Sequence, residues 1–157
     1  MPNEPQALVR AVDALFAETK EPWDALLERL LSHFECVTGT VHILDPKDGQ
    51  LHLAAQRGLP PFVLDKVAVI PFGKGMAGIA AERKGPVQVC NLQTDTSGVA
   101  RPNAKLTKME GSLAAPMLRN GEVRGVLGIA KHVAYDFTPA ETQLLMAVGA
   151  RVAKHLA

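Results

Sequence analysis

The sequence predicts an α+β fold: an antiparallel sheet that carries helices from both ends of the chain on one face. Three observations predict it. Apolar residues repeat with helical spacing at both ends of the chain and with strand-like spacing between them. Two turn signals, Asp48-Gly49 and Asn120-Gly121, each stand between apolar runs, as in β-hairpins. Between the hairpins, a β-branched run over residues 67–70 breaks at Pro71 into the turn Gly73-Lys74-Gly75, with a small-residue helix behind it.

Residues 4–19 place Leu8, Val12, Leu15 and Phe16 on one helical face. This first helix, within residues 1–21, precedes a domain over residues 22–157. A second helix starts near Pro22, a residue suited to the first helical position, and its stripe Trp23, Leu26, Leu27, Leu30, Leu31 and Phe34 must be buried. Beyond Gly39 the period changes. Residues 41–44 and 51–55 are strand-like and joined by Asp45-Pro46-Lys47-Asp48-Gly49. Residues 60–66 read as a short helix or loop, 67–70 as a third strand, 75–83 as a helix and 87–89 as a short fourth strand.

Residues 91–110 are polar and contain Gly98 and Pro102; a connection this long in a compact domain reads as a functional loop, with a helical turn around residues 104–109. Residues 112–118 and 123–131 flank Asn120-Gly121 as the second hairpin. Thr138-Pro139-Ala140-Glu141 then supplies an N-cap, proline at the first helical position and glutamate three residues after the cap. The last helix follows with Leu145, Val148, Val152 and Leu156 on one face.

With 157 residues, 47% of them hydrophobic and 21% charged, the chain fits one globular domain with a real core. No run approaches about 18 apolar residues, which argues against a membrane span. The first residues lack the basic and apolar regions of a signal peptide. Cys36 and Cys90 form no C-x-x-C pair and read as reduced thiols of a cytoplasmic protein. Residues 1–37 carry seven acidic side chains against three basic ones, a net charge of −4. Residues 74–108 carry six basic against two acidic, a net +4. Those basic residues are dispersed and lack the aromatic platforms of single-strand binders, so nucleic acid is not an expected partner.

The block Ile70-Pro71-Phe72-Gly73-Lys74-Gly75-Met76-Ala77-Gly78-Ile79-Ala80-Ala81, followed by Gly85-Pro86-Val87-Gln88-Val89, resembles the glycine-turn segment of GAF domains. The closing block, Ala115-Pro116-Met117-Leu118 through Gly125-Val126-Leu127-Gly128-Ile129, resembles the family's final hairpin. The resemblance covers roughly residues 22–156. It implies a sheet with helices behind it and a ligand cavity in front, walled by the glycine-turn helix and the long loop.

One enzymatic branch of that family reduces free methionine sulfoxide, which needs a thiolate to attack the sulfoxide and another to resolve the product. Where those enzymes place a cysteine in the glycine turn this chain has Ala77, and around Ala100-Arg101-Pro102 it has none. The Asn-Lys-Phe-Asp-Glu signature of cyclic-nucleotide-binding members is absent, and neither cysteine precedes a histidine as in bilin-binding members.

The residues themselves offer few chemical groups. Gly73-Lys74-Gly75 reads first as a turn the fold requires and second as an anion site, being wrongly spaced for a phosphate-binding loop. His42 and His52 read as ordinary strand histidines; a metal site would need a third ligand such as His132, and no spacing supports one. Cys90 reads as an inert, half-buried thiol and Cys36 as packing. No acid–base or nucleophile constellation is present, so no catalytic residue is assigned.

The expectation is a non-catalytic GAF-type sensor that binds a small, anionic molecule between the turn and the long loop. Phe72, Gly73, Lys74, Gly75, Met76 and Ala77 supply the turn, Val99 and Met117 apolar walls, and Arg101 and Lys105 charge. The sequence names no cofactor. A homodimer through the terminal helices and an effector protein or fused effector domain are the expected partners. The alternatives are an enzyme related to the sulfoxide reductases with altered chemistry, or a thiol-based redox sensor.

Overall fold

The computed structural model describes residues 5–94 and 109–156. Helices α1 (Pro5–Glu18) and α2 (Trp23–Phe34) lead into strands β1 (Thr38–Asp45) and β2 (Gln50–Arg57). Helix α3 (Pro61–Val67), strand β3 (Val69–Ile70), helix α4 (Gly75–Arg83) and strand β4 (Val87–Val89) follow. The chain closes with β5 (Ser112–Arg119), β6 (Glu122–Ala130) and helix α5 (Pro139–His155).

Both hairpins form as their turn chemistry dictates. In the first, Asp45 and Asp48 carboxylates accept from the Lys47 and Gln50 amides at 2.8 Å each, and Gly49 takes φ of 70°. In the second, Asn120 and Gly121 both have positive φ, 52° and 79°, the requirement of a tight two-residue hairpin turn. At α5 the Thr138 hydroxyl accepts from the Glu141 amide at 3.1 Å, and the Glu141 carboxylate accepts from the Thr138 amide at 2.9 Å.

The expected strand over residues 67–70 is shorter than its composition suggests. Pro60 and Pro61 preset the entry to a helix that buries Val63 and runs through Val67, leaving two residues to pair with β2.

The sheet is antiparallel throughout, in the order β3-β2-β1-β6-β5-β4. Alternation gives its central strands two unlike faces. One face carries Val41, Leu113, Met117, Leu127 and Ile129, all at most 1% exposed, into a core with Leu27 and Leu30 of α2 and Leu145, Val148 and Val152 of α5. Gly149 lets α5 settle close to β5: a Cβ there would stand 3.1 Å from the Pro116 carbonyl. The other face carries α3 and α4 and holds a smaller core of Leu51, Ile70, Ala80, Val87, Ala114 and Val126.

Helix α1 joins the first core through Leu8 and Val12 and is tied to α5 by charge. The Asp13 carboxylate accepts from Arg151 Nε at 2.9 Å and from His155 Nε2 at 2.7 Å, while the Phe16 ring stacks on His155 at 4.5 Å. The side chains behind the dimer expectation therefore pack largely within one chain.

Arg151 and then His155 hold the Asp13 carboxyl well below the usual carboxylate range. A group that takes up its proton later in the folded chain than in the unfolded one stabilises the fold above the unfolded pKa. That stabilisation fades as the pH falls below about 4. Asp13→Asn is therefore expected to lower the urea midpoint near pH 7, and the gap to the parent should shrink toward zero in acid. Denaturation curves across that range check it; a gap independent of pH would assign the effect to packing.

Candidate functional site

Between the sheet and the two helices on its second face lies a cavity of about 160 Å³, close to the roughly 150 Å³ that holds a benzene molecule in a protein interior. Its floor is made by alternate residues of three neighbouring strands. Thr40 pairs with Gly128, and Gly128 with Ala114; one row along, Thr38 pairs with Ala130, and Ala130 with Ser112. These are small side chains in the middle of a sheet, and the space above them is what larger ones would fill. Gly128 is decisive, since a Cβ there would lie 2.7 Å from the Thr40 hydroxyl.

Helices α3 and α4 form the walls with Val63, Val67, Met76 and Ala77, while Leu92 and Met109 close one end. Met109 Sδ accepts from the Thr38 hydroxyl at 3.1 Å. The exposed side chains of Lys66 and Lys74 stand on the rim. Helix α4 begins at the cavity without a side-chain cap: Lys74 is the extended N-cap residue and Gly75 enters the helix at φ of 66°. The turn is braced by Gly73 N–H donating to the Gly78 carbonyl at 2.8 Å. Only glycine fits at 78, where a Cβ would meet the Pro71 carbonyl at 2.4 Å.

The one imidazole in the cavity wall belongs to His42, 2% exposed. Its Nε2 donates to the Val67 carbonyl at 2.8 Å, tying β1 to the end of α3. Burial pushes its pKa below the ordinary histidine value, with the Val67 carbonyl acting the other way. Nδ1 is buried and meets no hydrogen-bond partner among the described residues.

Of the residues singled out from the sequence, Lys74, Gly75, Met76 and Ala77 line this cavity. Phe72 points outward, 37% exposed, and Gly73 lies against the Glu82 carboxylate instead. Met117 is on the wrong side: it shares parity with Leu113 and Ala115, which face α5, whereas Ser112 and Ala114 face the cavity. Val99, Arg101 and Lys105, with the helical turn expected around residues 104–109, fall in a segment that lies outside the described residues up to 108. His42, Thr38, Thr40 and Lys66 also line the cavity, beyond the residues the sequence singles out. The alternation Thr38, Thr40, His42 against Val41 and Ile43 is the signal that marks a polar floor.

The thiols lie away from this wall. Cys36 is buried beside the helix-side core, and burial pushes its thiol up to about 11. Cys90 is exposed where half-burial was expected; desolvation and then the Asp136 carboxylate raise its thiol above the ordinary value. Neither environment generates the thiolate that nucleophilic chemistry requires.

His42 and His52 point to opposite sheet faces, since His42 pairs with Leu53 and His52 with Ile43. His52 instead joins Asp45 and Asp48 at the hairpin end, with Nε2 donating to Asp48 at 2.7 Å.

Comparison with known proteins places this architecture. A family model described as GAF domain matches residues 21–157. No curated protein matches the sequence significantly. The GAF domain of a phosphoenolpyruvate-protein phosphotransferase from Coxiella burnetii superposes with a TM-score of 0.80 at 20% identity, over 97% of this chain and 92% of that one. The corresponding domain from Acinetobacter gives 0.79 at 18% identity, over 99% and 93%. A free methionine-R-sulfoxide reductase from Neisseria meningitidis, solved with its substrate, gives 0.78 at 18% identity, over 96% and 87%. At such identities the likeness shows the fold alone.

If the absence of a side chain at 128 keeps the cavity open, Gly128→Leu should fill it. The expected outcome is a folded protein that loses about 1–3 kcal/mol of stability through overpacking and no longer admits xenon or small aromatic probes. Xenon-induced shifts in amide spectra of the parent and the variant check this.

Proposed function

The chain belongs to the GAF domain family, and from that premise we propose that it is a non-catalytic sensor whose cavity binds a small, anionic molecule. One observation carries the reading: the cavity floor and the seat of the terminal helices are opposite faces of the same strands. Thr40 and His42 border the cavity, and Val41 between them packs in the helix-side core. A ligand that favours one setting of β1, β6 and α4 shifts the population of that setting, and α2 and α5 follow through Val41, Leu127 and Ile129.

The anionic preference rests on Lys66 and Lys74 at the rim and on the uncapped start of α4, whose dipole favours negative charge. The site spans the turn residues Lys74 to Ala77, α3 and the floor. Arg101, Lys105 and Val99 remain proposed contributors and lie outside the described residues. A partner protein or fused effector domain would read the helices, and the free thiols suit a cytoplasmic setting.

The similarity to a sulfoxide reductase supplies the rival reading, an enzyme. Ala77 in the cavity wall, where those enzymes have a cysteine, speaks against their chemistry. The raised thiols of Cys36 and Cys90 likewise speak against a redox sensor.

Native mass spectrometry of gently purified protein should reveal a co-purifying small acid, and NMR mapping with it should move residues 74–77, Val63 and Thr40. Shifts confined to α1 and α5 would overturn the site assignment. No turnover is expected with free methionine sulfoxide and a dithiol reductant, and turnover would favour the enzyme.

The homodimer is proposed through a groove between α1 and α5, where Pro5, Val9, Ala140, Leu144 and Ala147 leave apolar surface for a second copy. Light scattering at tens of micromolar should give twice the chain mass, and the monomer mass would reject it.

A further inference from the structure

His42 limits which small molecules suit the cavity, an inference that rests on the small-molecule reading above. A main-chain carbonyl can only accept a hydrogen bond, so the 2.8 Å contact with Val67 requires that Nε2 carry the proton. With the ring neutral, Nδ1 is then a lone-pair acceptor. The arrangement is locked from outside the ring: β1 fixes the backbone of His42, and the last turn of α3 fixes the carbonyl. Rotating the ring by a half-turn to satisfy Nδ1 elsewhere would break the Val67 bond.

That leaves a buried acceptor in a wall otherwise made of aliphatic side chains, methionines and small hydroxyls. Two floor hydroxyls are engaged elsewhere, and the third, Thr40, stands two residues along β1 without forming a bond to Nδ1. Thr38 donates to Met109, Ser112 donates to the Ile129 carbonyl at 3.4 Å, and the cross-strand partner of His42 on β6 is Val126. Buried polar atoms are nearly always paired, so one left unpaired on a residue that lines a cavity is a point that a ligand group can satisfy.

We propose that the cavity's ligand presents a hydrogen-bond donor, a hydroxyl or N–H group, to Nδ1 of His42. Together with the lysines of the rim, this defines a compact apolar body with a neutral donor on its inner end and an acidic group on its outer end. Hydroxy- or amide-substituted carboxylic acids of about ten non-hydrogen atoms meet both demands within about 160 Å³. Purely hydrocarbon acids of the same shape do not, because a methyl group against Nδ1 leaves the acceptor without a partner. Discrimination then follows from the penalty on the wrong ligand as much as from the bond to the right one.

The test uses isosteric pairs that differ only in the donor: phenol against toluene, and 4-hydroxybenzoate against 4-methylbenzoate. Titrations of the whole chain, followed by amide NMR, should show each donor binding about 10- to 100-fold more tightly than its methyl isostere. In the ¹⁵N spectrum of the imidazole, the Nδ1 resonance should move upfield on adding phenol and stay in place with toluene. His42→Phe, which keeps an aromatic ring and removes the acceptor, should abolish the preference within each pair.

Equal binding of donor and isostere at cavity residues overturns the His42 assignment and leaves the cavity reading intact. So does a preference that survives His42→Phe, or an unmoved Nδ1 resonance with phenol bound. Should His42→Phe fail to fold, the imidazole spectrum of the parent chain decides alone. If no probe shifts any cavity residue, the small-molecule reading falls together with the inference.

Discussion

The structure depends on the sidedness of its two central strands. β1 and β6 lie in the middle of the sheet, paired to each other and flanked on both sides, so each residue must serve one of two faces. On one face Val41, Leu127 and Ile129 interlock with α2 and α5 and make the larger core. On the other, Thr40, Gly128 and Ala130 are too small to reach the helices above them. The same alternation therefore produces dense packing on one side and open space on the other. A slip of one residue in register would reverse both, burying threonine against α5 and filling the cavity with leucine. The cavity is thus a consequence of strand register as much as of any loop.

Above that floor, α3 and α4 are held by backbone geometry more than by side-chain bulk. Gly78 allows α4 to lie against Pro71, and the bond from Gly73 to Gly78 closes the turn on the helix it launches. At the other end of the chain a different device operates. Lys131, leaving β6, donates to the Phe34 carbonyl at 2.6 Å and to the Glu35 carbonyl at 3.2 Å, covering the C-terminus of α2 with positive charge. Its ammonium also sits 4.5 Å from the centre of the Tyr135 ring, whose hydroxyl donates to Glu141 of the α5 capping box. The exit of the central strand thereby joins the end of α2 to the start of α5, the two helices that a movement of the floor would reach first.

His42 is the exception to the division of the sheet. A buried imidazole on an apolar wall carries a desolvation penalty that an aliphatic residue would avoid. One of its nitrogens is matched by Val67, and the match also pins α3 to the sheet. As a packing residue it is a poor choice, and it gives the cavity wall a directional polarity that the aliphatic side chains lack.

Much of this architecture was legible in the residues. The Asp-Gly and Asn-Gly turns, the Thr138 capping box, the glycine turn and the apolar stripes each act within a few neighbouring residues. Their chemistry is complete before any distant contact forms, so the element order, both hairpins and α4 follow from sequence. The lining of the cavity was legible only in part, at Lys74 to Ala77, because that turn is itself local. Met117 packs in the helix-side core and not in the cavity wall, because a pattern of apolar residues shows that a strand alternates without showing which parity meets which layer. Lys66 and Val63 were invisible as cavity residues since nothing near α3 in sequence announces what it will cover. The setting of His42 depends on a carbonyl 25 residues away and on small side chains from two other strands. By itself the sequence determined the elements and their caps. The tertiary structure alone decided which faces meet and where space is left between them, because those outcomes require several distant segments to be in place at once.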